Sequence, residues 1–276
     1  MEGVEGVESM KVIYAHTDSL FCPVESIDHA KSTCDYLNQQ VREIFPNILG
    51  LDQHPVTLEF EKFYSSLGIG ITKNRNAGFI SWKDGEHLDE PEFVVTGFSV
   101  KKSTEIHIAK IVQEMVLKMW ANGKSEKEVT KYLKQAYQNI KKGKIEMDSF
   151  LKRSRLRKSI NDYATLAGGV AGAVYYNTHL NPSDPITDSF ITIKCNILSG
   201  PKTVPLNDGT SRVATYISVK EKNELLPLLE EGKIEIDYGY YADYCINKAD
   251  PIYKAMGWDM YHIYADPKQK TLEDWF

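Results

Sequence analysis

Three short stretches hold side chains whose types and spacing could do chemistry. KVIYAHTDSLF, residues 11 to 21, runs four apolar or aromatic residues, Val12 to Ala15, into His16-Thr17-Asp18-Ser19 and then resumes with Leu20-Phe21-Cys22. Two strand-like runs flanking a short polar turn read as a β-hairpin whose tip presents the Asp18 carboxylate. Aspartate also stabilises turns through its own backbone, so on this stretch alone that role competes with a ligand role. The second stretch is basic: eight Lys or Arg lie between Lys141 and Lys158, against Glu146 and Asp148. Such a run is either a solvated helix face or a surface for phosphates, each of which releases counterions when neutralised and adds sequence-independent affinity. The third, QKTLEDWF, has the chemistry of an anchor: Gln269 offers amide hydrogen bonds, and Leu272, Trp275 and Phe276 form an apolar plug on one side of a single turn. Exposed Trp-Phe is costly in water without a partner, the alternative being a segment folded back on the chain.

The elements that must position these residues fall into two halves. Residues 11 to 24 make the hairpin, and Ser26 to Phe45 reads as a helix capped by Ser26, with Ala30, Cys34, Leu37, Val41 and Ile44 on one face. Residues 56 to 82 alternate apolar and polar around a turn near Asn74 to Asn76, which predicts paired antiparallel strands; a turn at Lys83-Asp84-Gly85 and a strand at Phe93 to Thr96 follow. The sheet is expected to pack one face on the helix and leave the other open. From Ser103 the pattern turns helical, with Ile106, Ile108, Ile111, Val112, Met115, Val116 and Met119 leading to Trp120 and a stop at Ala121-Asn122-Gly123. A second helix is predicted from Ser125, with Glu128 completing a capping box, to about Ile140. The small-residue stretch ATLAGGVAGAVYYN, 164 to 177, reads as a closely packed helix, 190 to 220 as strands, and 225 to 256 as helical around the aromatic run Tyr238 to Tyr244.

Composition bounds the reading. At 276 residues, with 42% hydrophobic and 26% charged, the chain can bury one large or two modest cores. No stretch approaches the roughly 18 apolar residues of a membrane span, and MEGVEGVESM has neither a basic n-region nor an apolar h-region, so a cytoplasmic protein without a membrane partner is expected. Cys22, Cys34, Cys195 and Cys245 form no CxxC pair, which argues against a zinc ribbon or a disulfide framework. The net charge of -5 does not suggest a nucleic-acid binder, but distribution matters more than the sum.

The ordered series YAHTDS, LEFEKFY, TKNRNAG, GFSVKKS and LKRSRLRKSINDY, across residues 14 to 163, resembles the C-terminal palm and thumb of family B DNA polymerases. The resemblance is weakest from about 180 to 230. It implies an α+β palm, an antiparallel sheet with a packed helix, over residues 1–102. A mainly helical thumb with a small β insertion would follow over 103–265, and then a tail over 266–276. The fingers, the exonuclease and the earlier part of the palm have no counterpart, so the chain looks like the small subunit of a split polymerase, such as some archaea encode as two genes.

The resemblance also assigns roles. Asp18 corresponds to the second aspartate of a DTDS hairpin that binds catalytic Mg2+ ions, with His16 and Thr17 beside it and the other carboxylate supplied by the partner chain. Two hard cations held by carboxylates on rigid strands suit phosphoryl transfer. His16 stands where relatives carry aspartate and brings no fixed negative charge, and Asn74 and Asn76 replace the second lysine and the tyrosine of a Lys-Lys-x-Tyr turn. Lys73 and Arg75 in that turn, Lys101, Lys102 and Ser103 at the palm–thumb junction, and Arg155, Arg157, Lys158 and Tyr163 in the thumb are implied DNA contacts. The anchor Gln269, Leu272, Trp275 and Phe276 is similar to the peptide that docks on sliding clamps. The implied activity is DNA-directed DNA synthesis, dependent on a large subunit, primer-template DNA and dNTPs, in the nucleoid. An inactivated relative acting as a DNA- and clamp-binding scaffold, and a clamp-tethered DNA-binding module, remain alternatives.

Overall fold

The computed structural model describes residues 11–16 and 18–264; Thr17 and the clamp-type anchor lie outside them. The hairpin forms where the apolar run breaks. Tyr14–His16 (β1) pairs antiparallel with Ser19–Phe21 (β2), His16 opposite Ser19, so the connection is two residues long and Asp18 sits in it. Ile27–Ile44 (α1) begins where expected, the Ser26 hydroxyl accepting the His29 N–H at 3.0 Å. Its apolar stripe is only partly covered: Ala30 is buried, whereas Ile44 is 66% exposed. Asn38 then ties the helix to the extended segment before the next strand, its amide donating to the Leu58 carbonyl at 2.8 Å and accepting the Leu58 N–H at 2.7 Å.

Lys62–Ile69 (β3), Asn76–Lys83 (β4) and Glu86–Thr96 (β5) make an antiparallel sheet in that order. The β4–β5 turn is Asp84-Gly85, both at positive φ (51° and 95°), the geometry that matches strand twist in a two-residue hairpin. Trp82 stacks on Phe60 at 4.3 Å and lies 5.7 Å from the Lys31 ammonium of α1, so α1 and the sheet share a packed layer.

His107–Ala121 (α2) and Glu126–Lys141 (α3) follow, α3 carrying the predicted reciprocal box between Ser125 and Glu128. The described residues up to Gly97, with Lys118–Lys124, form one compact unit; Phe98–Leu117 and the described residues from Ser125 onward form a second.

In the second unit the basic segment departs from the helical-face reading: α3 ends at Lys141, a 3₁₀ turn covers Met147–Phe150, and Lys152–Arg155 is a strand (β6). Helical periodicity cannot be sustained there, because the run is broken by Gly143 at positive φ and the backbone of Lys152–Arg155 pairs with a strand further along the chain. Gly168–Tyr175 (α4) is the small-residue helix. A methyl group at Gly172 would lie 2.6 Å from the Ser218 hydroxyl, so the glycine lets the helix press onto the sheet.

That sheet centres on Ser189–Ile197 (β7), and the small hairpin Thr203–Pro205 (β8) with Ser211–Val213 (β9) follows. Tyr216–Val219 (β10) pairs with residues 191–194 of β7 and β6 with 189–192, so these two strands flank β7 on opposite edges. The expectation of helix over 225–256 holds for Leu225–Glu230 (α5), Tyr238–Ile246 (α6) and Asp250–Met256 (α7), but Ile234–Ile236 (β11) intervenes as a strand against the end of β7. Tyr261–Tyr264 (α8) is the last described element. Part of the second unit's core lies where α3 meets α6 and α7: Val129, Leu133, Ile246 and Tyr253 are fully buried and the Tyr253 and Thr130 hydroxyls meet at 2.7 Å.

The architecture is α+β: antiparallel sheets with packed helices. Among the described residues no helix is long and apolar enough to cross a membrane.

Candidate functional site

The Asp18 carboxylate is exposed at the hairpin turn, with His16 exposed beside it on β1. The hairpin is seated by rings: Phe21 meets Tyr14 edge-on at 5.3 Å and Tyr64 of β3 at 6.0 Å. The Tyr14 hydroxyl then reaches the β3–β4 turn, donating to Asn74 Oδ1 at 2.9 Å and accepting the Asn74 N–H at 3.1 Å. Asn74 adopts φ 61°, a left-handed conformation that asparagine tolerates better than most residues. On its other side stands Gly97, at φ 76°; a methyl group there would fall 1.9 Å from the Asn74 carbonyl oxygen, a distance no side chain can occupy. The turn that carries Lys73 and Arg75 is thus tied to the hairpin that carries Asp18. Lys73 is exposed and Arg75 half-buried. Asn76 is a buried member of β4, opposite Ile69 and Thr96.

Asp18 lines an open groove of about 530 Å³ with Cys22, Cys34, Glu59, Glu61 and Tyr64. Burial pushes the Cys22 thiol up, and burial with the Asp35 and Glu59 carboxylates does the same for Cys34, so both stay protonated at neutral pH and are poor nucleophiles or ligands. Glu61 is engaged by Lys62 at 2.9 Å. Asp18 is a hard oxygen donor of the class that Mg2+ prefers, but among the described residues no three His, Cys, Asp or Glu side chains converge on a common point. Among the described residues of the hairpin, Asp18 offers one such oxygen donor, which fits one ligand position of a magnesium ion.

The other predicted contacts belong to the second unit. Lys101 closes a single 3₁₀ turn, Ser99–Lys101, and Lys102 and Ser103 follow it; all three are exposed. On β6 the Arg155 Nε bonds Asp188 at 2.6 Å in an exposed pair of small energetic weight. Arg157 donates its backbone N–H to the Tyr163 hydroxyl at 2.9 Å, and the Lys158 ammonium lies 5.0 Å from the Tyr163 ring centroid. Asn207, in the β8–β9 loop, donates to the Tyr163 carbonyl at 2.9 Å. Tyr163 is therefore the half-buried post around which Arg157 and Lys158 are set, and the two cationic side chains stay exposed.

Tyr14, Gly97 and Asn207 had no assigned role in the sequence, and Asn74 had only that of a turn residue. An asparagine and a glycine in turns gave a signal of backbone conformation, but nothing local linked them to each other.

Residues 3–252 match the family model for DNA polymerase family B. The DNA polymerase of Archaeoglobus fulgidus is 27% identical over 169 residues, covering 60% of this chain and 19% of the relative. The DNA polymerase zeta catalytic subunit of Arabidopsis thaliana is 26% identical over 156 residues, covering 56% of this chain and 8% of the relative. The chain thus spans less than a fifth of the length of the curated relatives it matches. Among solved structures, the family B DNA polymerase from Pyrobaculum calidifontis superimposes with a TM-score of 0.58 and 20% identity, over 88% of this chain and 26% of the other, a likeness of fold.

Proposed function

Because the chain belongs to DNA polymerase family B, we propose that it is the small subunit of a split polymerase, adding deoxynucleotides to a primer 3′ end together with a large subunit that carries the exonuclease, the fingers and the rest of the palm. The carrying observation is the exposed Asp18 carboxylate at the tip of a two-residue hairpin, tied through Tyr14 to the turn that holds Lys73 and Arg75. In this reading residues 1–102 are palm and 103–265 thumb. Asp18 is a metal ligand in the hairpin with His16 and Thr17, and the large subunit supplies the other carboxylate. A magnesium ion held by Asp18 together with the large subunit's carboxylate would supply charge neutralisation at the transferring phosphate.

This chain's own residues bind and orient the primer-template. Lys73 and Arg75 meet the duplex near the primer end; Lys101, Lys102 and Ser103 take primer phosphates. Arg155, Arg157 and Lys158, set around Tyr163, hold the newly made duplex. Contacts of this kind are indifferent to sequence and sensitive to salt, which suits a protein that must translocate. The segment 266–276, with Gln269, Leu272, Trp275 and Phe276, anchors the assembly to a sliding clamp. The complex works at the nucleoid.

Primer extension by the chain combined with a large subunit tests the reading. Wild-type assembly extends a primer with Mg2+ and dNTPs, and Asp18→Asn lowers the rate by roughly a hundredfold or more, the scale of removing one group that stabilises transition-state charge. Unaltered extension by Asp18→Asn refutes the metal role. Absence of extension by the wild-type assembly, with duplex binding intact, favours the scaffold reading that His16 in place of aspartate motivates.

A further inference from the structure

The exposed strap from Lys101 to Thr104 in the second unit is fastened at both ends to one residue of α6 and its continuation, Lys248. At the first end, Gln113 of α2, only 3% exposed, accepts the Ser99 hydroxyl at 2.8 Å and the Val100 N–H at 2.7 Å through Oε1. Its Nε2 donates to the Lys248 carbonyl at 3.0 Å. At the second end, Glu105 has a side chain only 6% exposed, and its Oε2 lies 2.7 Å from the Lys248 ammonium. Its Oε1 accepts the Tyr244 hydroxyl at 2.7 Å and the Ile106 N–H at 3.1 Å. The same ammonium lies 4.0 Å from the Tyr244 ring centroid. Between these fastenings, Lys101, Lys102 and Ser103 project to solvent, with no side-chain hydrogen-bond or ion-pair partner among the described residues.

A buried amide and a buried ion pair are inefficient ways to stabilise a core, since apolar side chains of equal volume do so at least as well. Apolar packing, however, is non-directional and does not fix the register of a backbone segment. Directional bonds at both ends do, and they order the strap before any ligand arrives, which removes an ordering penalty from binding. We infer that Gln113 and Glu105, through Lys248, are positioning residues that hold Lys101 and Lys102 in the arrangement that meets two adjacent phosphates of duplex DNA. The inference rests on the proposed DNA-contact role of those two lysines and deepens it.

The test is the salt dependence of binding by the full chain to a labelled primed duplex of arbitrary sequence, followed by anisotropy across a NaCl series. Lys101→Ala with Lys102→Ala is expected to reduce the slope of log K against log salt by roughly two, because each phosphate contact contributes about 0.9. Gln113→Met removes no charge, yet it is expected to reduce the slope by a comparable amount and to add nothing when combined with the lysine pair. A Gln113→Met slope equal to wild type, or one whose change adds to that of the lysine pair, overturns the positioning role while leaving the lysine contacts standing. A lysine pair with unchanged slope instead overturns the contact reading itself, and the clasp role with it. Should Gln113→Met fail to fold, Ser99→Ala and Tyr244→Phe each delete one hydroxyl of the clasp. A smaller reduction in slope, absent on the lysine-pair background, is then expected, and its absence from the otherwise wild-type chain overturns the proposal equally.

Discussion

The Asp18 hairpin rests on ring edges and one tyrosine hydroxyl at positions that water reaches, whereas the strap of Lys101 to Ser103 hangs from an amide and a carboxylate that are almost wholly buried. Hairpin strands of three residues are marginal on their own. Val12, Ile13 and Leu20 around them are 45%, 46% and 49% exposed, so little apolar burial secures the carboxylate. The strap's arrangement is complete within its own unit. The contrast teaches that two exposed functional segments in one chain can differ in how far the chain itself determines their geometry.

The largest effect on stability that bears on this comparison is expected at the hairpin side. Gly97→Ala places a methyl group against the Asn74 carbonyl and forces a left-handed conformation on alanine, so about 3 kcal/mol should be lost in urea denaturation. A loss below about 1 kcal/mol would mean that the Asn74 turn has freedom to move aside.

The strap offers the next test. Burial raises the Glu105 carboxyl, but hydrogen bonds from Lys248 and Tyr244, with the Lys248 charge and the Ile106 N–H, outweigh it and hold the group below its ordinary value. A carboxylate whose folded pKa is depressed contributes stability fully above its unfolded value, near about 4.3, and loses it as pH falls through the folded value. Thermal melts should therefore show Glu105→Gln less stable than wild type by about 2 kcal/mol at pH 7, with the gap closing below about pH 4. A gap independent of pH would sever the charge of Glu105 from the clasp. The smallest effect belongs to Tyr14→Phe, about 1 kcal/mol for one hydroxyl that serves Asn74 twice. Chemical-shift changes confined to residues near Asn74 and the hairpin are its expected signature in NMR spectra; perturbation spread across both units would contradict it.

Elements whose cause lies within a few residues were legible in the sequence. Ser26 before α1, Ser125 with Glu128 before α3, and Asp84-Gly85 between strands each act on backbone groups two or three positions away, so their spacing alone announced them. The strand β6 was obscured because its charges, rather than its alternation, dominate the segment, and its partner β7 begins more than thirty residues later. The short strand β11 lies inside an otherwise helical stretch, with only three residues to show a period of two. In the candidate site, Asp18 and the basic residues stood out by type, but the bonds that seat them did not: Tyr14 meets Asn74 across 60 positions, and Glu105 meets Lys248 across 143.

By itself the sequence determined the hairpin with Asp18 at its turn, the capped helices, the family to which the ordered motifs point, and the inventory of cations available to a phosphate backbone. These follow from local backbone preferences and side-chain type, which act over a few bonds and need no partner. Only the tertiary structure decided that Asn74 would be gripped between Tyr14 and Gly97, that Tyr163 would become the post for Arg157 and Lys158, and that one lysine of α6's continuation would clasp both ends of the strap. The grip on Asn74 and the clasp through Lys248 join residues from 23 to 143 positions apart, which no local preference can bring together, and in the clasp burial strengthens each directional bond once packing has excluded water from it.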